Sequence, residues 1–76
     1  MIESDEKLDT CGLICPLPVL KARKRLQSMA PGQVLELEAS DPASVIDVPH
    51  YCNESGNELV DSNHENDIYT YWIRRS

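Results

Sequence analysis

Short stretches of alternating polar and apolar residues predict four strands. In the first, Leu8 and Thr10 alternate with charged neighbours, and the strand ends by Gly12. Residues 33–39 alternate more clearly and predict a strand with one buried face. Residues 58–61 begin a third strand, and residues 67–74 are rich in β-branched and aromatic side chains that favour a fourth. Polar residues separate the last two strands and predict a turn over 62–66.

Residues 16–29 have the spacing of an amphipathic helix. Apolar residues recur there every three or four positions and predict one buried stripe, which comprises Val19, Ala22, Leu26 and Met29, with Leu20 at its edge. Proline costs little at the first helical position, because the N–H that it lacks would have no partner there. We therefore expect Pro16 to open the helix and the Pro31-Gly32 pair to follow its end.

A second helix is predicted from the clearest start signal in the chain. Either Ser40 or Asp41 can cap it, with Pro42 at the first helical position. Pro49 lies within the same pattern, and we expect it to bend or interrupt the helix, which ends over residues 54–57. The apolar face predicted for this helix comprises Val45, Ile46 and Val48.

The predicted order of elements is β-α-β-α-β-β. Two helices of this length can cover only one face of a four-stranded sheet, so we expect an α/β fold, a two-layer sandwich with a mixed sheet. A chain of 76 residues is long enough for one small domain, spanning 1–76, with the charged residues 1–6 flexible.

Cys15 is the candidate reactive residue. It directly precedes Pro16, which places it at or beside the N-terminus of the first helix. The unpaired N–H groups there favour an anion, so we expect the pKa of the Cys15 thiol to be lowered toward the nucleophilic thiolate. Pro16 and Pro18 would stiffen the first turn and hold the thiol outward. The alternative interpretation is an inert, small apolar side chain.

The other cysteines have weaker signals. Cys11 is either a resolving thiol that forms a disulfide with Cys15 or a half-buried residue at the end of a strand. Cys52 and His50 suggest a zinc site, but the C-x-x-C spacing is missing and we expect no metal. Cys52 is better interpreted as a core residue of the second helix, and His50 and His64 as solvated side chains.

Charge is distributed unevenly along the chain. The net charge is −6, yet one short segment carries four of the seven basic residues, which are Lys21, Arg23, Lys24 and Arg25. An acidic domain with one basic segment argues against direct nucleic-acid binding, which favours a broadly basic face. The segment is either a solvated helix face or a surface that docks a partner protein. Asp41 is interpreted first as a helix cap and second as a binding residue.

The chain also lacks two sequence signals of export. It has no apolar stretch that could span a membrane, and residues 1–10 do not resemble a signal peptide. The odd number of cysteines favours reduced thiols. We therefore expect a cytoplasmic protein, and a small acidic domain with one reactive loop is most simply a monomer. Of the two adjacent aromatic residues near the C-terminus, Tyr71 and Trp72, we expect one in the core and one on the surface.

The chain resembles the TusA/SirA family of small sulfur-carrier proteins. The resemblance rests on a C-P-x-P motif before a basic helix, formed by Gly12, Leu13, Cys15, Pro16 and Pro18. It continues through Pro31-Gly32, the Ser40-Asp41-Pro42 segment with Asp47, and Ser55-Gly56-Asn57, and closes at residues 71–75. The motif is specific, whereas a Cys-Pro pair alone would be a weak signal. Cys11 departs from the pattern, because relatives often carry another residue before Gly-Leu.

The resemblance implies a fold similar to the C-terminal domain of translation initiation factor 3, and persulfide chemistry at Cys15. In the family this cysteine accepts sulfane sulfur from a cysteine desulfurase or a rhodanese-like donor and passes it to an acceptor, commonly a TusD/DsrE-type protein. The end use would be 2-thiouridine in tRNA, molybdenum-cofactor assembly or sulfur oxidation, with no cofactor. Gly12, Pro16 and Pro18 would position the thiolate. The alternative is a regulatory or protein-interaction module of the same fold without sulfur transfer.

Overall fold

Four strands and two helices follow one another in the predicted order. The structure is a computed structural model and describes residues 2–76. Its elements are β1 (Glu6–Asp9), α1 (Leu17–Gln27), β2 (Val34–Ala39), α2 (Ser44–Ser55), β3 (Glu58–Glu65) and β4 (Ile68–Arg74). No helix within these residues has the length and apolar character needed to cross a membrane.

The strands form one mixed sheet in the order β1-β2-β4-β3. β1 and β2 are parallel, and β4 is antiparallel to both of its neighbours, β2 and β3. Because a helix follows each of the two parallel strands, the loops that lead into α1 and α2 leave the sheet at the same edge. The candidate site lies at this edge.

Alternation in the strands divides the sheet into a buried and an open face. Leu35 pairs with Ile73 and Leu37 with Tyr71, and these residues pack against both helices. Leu35, Leu37 and Ile73 are completely buried, and each such side chain contributes about 1.5–3 kcal/mol of hydrophobic stabilisation. Trp72 lies half-buried on the opposite face, where its indole N–H donates to Glu36 at 3.0 Å. The prediction of one core and one surface aromatic residue is thus confirmed.

α1 buries the predicted stripe but starts one residue later than predicted. Ala22 and Leu26 are buried on α1, Met29 is buried two residues beyond its end, and Leu20 is exposed. Pro16 has φ −99° and ψ 16°, outside the helical range, so it is the N-cap and not the first helical residue. The peptide bond between Cys15 and Pro16 is cis.

α2 differs more from its prediction. It begins at Ser44 and not at Pro42, because residues 41–44 form a separate turn in which the Ser44 N–H donates to the Asp41 carbonyl. It is one helix from Ser44 to Ser55, so Pro49 does not interrupt it, which was one of the two predicted effects of this proline. Val48 and Cys52 lie on either side of this proline and are both buried, and their packing holds the two halves in place.

The buried face of α2 was also predicted incorrectly. It consists of Ser44, Val48 and Cys52, which are spaced four residues apart. Val45 and Ile46 are 53% and 74% exposed, so two of the three predicted apolar positions face solvent.

The last two strands form a longer hairpin than predicted. β3 extends to Glu65, and a two-residue turn at Asn66 and Asp67 replaces the expected polar turn. Both turn residues have positive φ, 52° and 63°, as the tightest hairpin turns require. β3 is an edge strand whose last five residues are exposed. Polar residues are compatible with such a strand, and for that reason the sequence pattern did not reveal it.

Candidate functional site

The site is built where the loop after β1 meets the segment after β2. Thr10, which follows β1, is buried and donates both its backbone N–H and its hydroxyl to the Glu38 carbonyl. This pairing continues the parallel ladder by one residue. The motif loop, residues 11–16, therefore begins beside Ser40 and Asp41.

Two side chains from the segment after β2 hold the backbone of the motif loop. The Gly12 N–H donates to the Ser40 hydroxyl at 2.8 Å, and the Cys15 N–H donates to Asp41 Oδ2 at 2.6 Å. Asp41 Oδ1 also accepts the Ala43 N–H at 3.1 Å. Gly12 has φ 89°, a conformation that disfavours any residue with a Cβ. Ser40 and Asp41 are thus partners of the loop, and neither side chain caps α2 directly.

Cys15 is exposed, and its chemical environment is opposite to the predicted one. The interaction of its thiol with the Asp47 carboxylate, partial desolvation and the charges of Asp47 and Asp41 raise the pKa of Cys15. The predicted lowering of this pKa is therefore wrong. Since α1 begins only at Leu17, Cys15 lies beyond the N-cap, where the helix dipole falls off, and the two carboxylates dominate.

Cys11 is exposed. The alternative prediction of a half-buried residue at the end of a strand is therefore wrong. Its backbone N–H donates to Asp9 Oδ1 at 2.9 Å. Desolvation and the neighbouring Asp9 carboxylate raise the pKa of its thiol. The disulfide between Cys11 and Cys15 stays a prediction.

Cys52 is a core residue of α2, as predicted, and burial raises the pKa of its thiol to about 11. His50 is exposed and lies 3.7 Å from Glu54, one helical turn away. His64 is also exposed and stacks on the Tyr69 ring at a centroid distance of 4.1 Å. Within residues 2–76, no three His, Cys, Asp or Glu side chains are grouped so that they could hold a metal ion.

The basic segment of α1 divides into two parts. Lys21, Arg23 and Lys24 are exposed, as a docking surface requires. Arg25 is half-buried and pairs with Glu6 at 3.1 Å, which ties α1 to β1. Arg25 is thus engaged in a contact within the fold.

Exposed apolar side chains lie on the motif loop and on the first turns of both helices, and we call them the apolar rim. Both helices begin at the same edge of the sheet, so their first turns flank the motif loop. Ile14 is 70% and Ile46 74% exposed, and exposed apolar side chains of this size can contribute to a protein-binding surface. The other members of the rim are Leu17, Leu20 and Val45.

Pro16 and Pro18, the prolines of the motif, have different environments. Pro16 is exposed beside Cys15, whereas Pro18 is buried at the second helical position of α1. An N–H at that position would have no helical partner, so Pro18 costs no hydrogen bond and contributes packing.

The whole chain is similar to known proteins. The family model described as Sulfurtransferase TusA matches residues 6–75. The sulfur carrier protein TusA of Allochromatium vinosum is 43% identical over 76 residues, which are all of both chains. The sulfur carrier protein TusA of Pseudomonas paraeruginosa is 41% identical over 71 residues, covering 93% of this chain and 90% of that protein.

A solved structure has the same fold. The SirA-like protein from Desulfitobacterium hafniense superposes with a TM-score of 0.80, and the match covers 91% of this chain and 95% of that one. At 21% identity this likeness supports the β-α-β-α-β-β architecture alone.

Proposed function

This chain belongs to the TusA family, and on that premise we propose that it is a sulfur carrier that holds sulfane sulfur as a persulfide on Cys15. The observation that carries the proposal is the exposed thiol of Cys15 at the surface of a loop that side chains hold in place. Thiol–disulfide exchange needs access to the sulfur and a defined direction of attack, and it does not need a deep pocket.

The proposed loading step is an exchange at sulfur. The Cys15 thiolate attacks the outer sulfur of a donor persulfide, R–S–SH, and a new S–S bond forms on Cys15. The donor S–S bond breaks, its electron pair leaves with the inner sulfur, and the donor thiolate takes the proton that Cys15 has lost. In unloading, an acceptor thiolate attacks the same outer sulfur and releases Cys15. Neither step consumes an oxidant or a reductant.

The surface around Cys15 suits protein partners. The apolar rim offers contact area, and the exposed side chains of Lys21, Arg23 and Lys24 offer positive charge on α1. The family's role in sulfur relay implies a donor and an acceptor, and we propose a cysteine desulfurase or rhodanese-like donor and a TusD/DsrE-like acceptor. Asp41 is a further candidate for partner contact, and the end use would be one of the three predicted pathways. Cytoplasmic location and the monomeric state remain part of this proposal.

Intact-mass spectrometry tests the proposal. The chain is incubated with a bacterial cysteine desulfurase and cysteine, and separately with a rhodanese and thiosulfate. We expect a gain of one sulfur atom, reversed by reductant and lost in Cys15→Ser. Cys11→Ser is the matched control, because Cys11 is also exposed and should be dispensable for the gain.

Two results would contradict the proposal. One is the absence of any sulfur gain with both donors, and the other is an undiminished gain in Cys15→Ser. Retained partner binding in that variant would then favour the alternative, an interaction module without sulfur transfer.

A further inference from the structure

Asp41 links the residue that carries the thiol to the start of α2, the helix that carries Asp47. One carboxylate oxygen accepts the Cys15 N–H at 2.6 Å and the other accepts the Ala43 N–H at 3.1 Å. The Ala43 carbonyl in turn accepts the Asp47 N–H at 3.0 Å. The Asp47 carboxylate is also the largest cause of the raised pKa of the Cys15 thiol, so both ends of this series of contacts lead to Cys15.

We propose that Asp41 is a positioning residue for sulfur transfer, which fixes the backbone of Cys15 and so sets the direction of its thiol. The inference rests on the proposed function and deepens it. Hydrogen bonds to an ionised carboxylate are about twice as strong as neutral ones, so the Asp41 bond holds the loop more firmly than the Ser40 bond does. The Ser40 hydroxyl adds a second fixed point at Gly12.

A fixed loop matters because exchange at sulfur needs three sulfur atoms nearly in line. The donor is a second protein, so its approach is set by docking and not by the loop. A thiol displaced by about 1 Å would miss the docked persulfide, and misplacement of this size can cost up to about 100-fold in rate. A small reagent, in contrast, can approach the thiol from any open side.

Loosening the loop should therefore affect two reactions in opposite directions. Asp47 and Asp41 are the two titratable groups whose contacts and charges oppose ionisation of Cys15. Removing the Asp41 charge would lower the pKa of Cys15 and accelerate its reaction with a small alkylating agent at neutral pH. Loading by a docked protein donor would become slower.

The experiment compares Asp41→Asn with Asp67→Asn, both in a Cys11→Ser background. Asp67 lies in the β3–β4 turn, and asparagine tolerates its positive φ. The rate of Cys15 alkylation by iodoacetamide is followed from pH 6 to 10. This range covers about four pH units and includes the ordinary pKa of a thiol. Sulfur loading from a bacterial cysteine desulfurase with cysteine is followed by intact mass. Thermal unfolding confirms that each variant is folded.

For Asp41→Asn we expect loading about tenfold slower and an alkylation profile shifted to lower pH. Asp67→Asn should match the parent in both assays. Ser40→Ala removes a neutral partner, so it should slow loading without moving the alkylation profile.

The inference is overturned if Asp41→Asn loads at the parent rate, or if it loads slowly while Ser40→Ala, which loosens the same loop without removing a charge, loads at the parent rate. The second result would assign Asp41 to partner contact alone. If the parent chain itself gains no sulfur, the proposed function fails, and this outcome is separate from the failure of the positioning role.

Discussion

The hydrogen bond between Ser44 and Tyr71 gives a quantitative test of how the site is supported. Ser44 Oγ and Tyr71 Oη lie 2.8 Å apart, and both residues are at least 96% buried, since their exposed fractions are 2% and 4%. Ser44 is the first residue of α2, the helix that carries Asp47. The bond therefore anchors the start of this helix to the central strand β4.

The expected magnitude follows from leaving one hydroxyl unpaired. Tyr71→Phe removes the partner of a buried serine, and an unsatisfied buried polar group costs about 1–3 kcal/mol. Ser44→Ala leaves the Tyr71 hydroxyl unpaired and should cost a similar amount. The double variant leaves neither group unpaired, so its loss should be close to that of one single variant. For a domain of this size, 1 kcal/mol corresponds to a shift of roughly 4–8 °C in Tm.

The assay is thermal and urea unfolding of the four chains of this double-mutant cycle. We expect a coupling energy of about 1 kcal/mol or more between the two positions. Ser62→Ala with Tyr69→Phe is the matched control pair, because Ser62 is exposed and the single changes should each stay within about 0.5 kcal/mol. Strictly additive losses for Ser44 and Tyr71 would refute the reasoning, because they would mean that the two hydroxyls do not depend on each other.

Three further predictions concern the thiols and the end of α2. Asp47→Asn removes a carboxylate that raises the pKa of Cys15, so iodoacetamide alkylation should reach its half-maximal rate at lower pH, and an unchanged profile would contradict this. Burial raises the Cys52 pKa from 9.0 to about 11. The buried neutral thiol therefore contributes its full stabilisation below pH 9.0, and this stabilisation is lost as the pH rises toward about 11. The free energy of unfolding, measured with urea, should fall less for Cys52→Ala than for the parent over that pH interval. Gly56 caps α2 with φ 81°, so Gly56→Ala should lower the free energy of unfolding by about 1–2 kcal/mol, and an unchanged Tm would contradict this.

Much of the fold could be predicted because the local signals agree with the tertiary contacts. The alternation in β2 and the three- and four-residue spacing in α1 both correspond to the observed core. The wrong predictions concern residues that lie on the surface. Polar residues at the end of β3 belong to an edge strand, and Ile46 is apolar but faces outward. A sequence pattern alone cannot distinguish an apolar residue that is exposed from one that is buried in the core.

The site was only partly predictable for a different reason. Cys15 could be identified because a motif marks it, and Ser40 and Asp41 because they resemble helix caps. Their actual partners, the N–H groups of Gly12 and Cys15, lie 28 and 26 residues away in the sequence. The missing signal was topological. Once β1 and β2 are taken as parallel neighbours, the polar residues that follow β2 must lie beside the loop that follows β1.

The raised pKa of Cys15 changes how its reactivity is understood. A higher pKa reduces the fraction of thiolate at neutral pH, but each thiolate is then a stronger nucleophile, with a Brønsted coefficient of about 0.4–0.5. On a logarithmic scale, the gain in nucleophilicity therefore offsets roughly half of the loss in thiolate fraction. Because Asp41 and Asp47 cause the shift, the free carrier reacts slowly with small electrophiles while the thiolate, once formed, keeps its strength. Selectivity for a docked donor then depends on the position of the thiol, which the hydrogen bonds of Asp41 and Ser40 to the motif loop define.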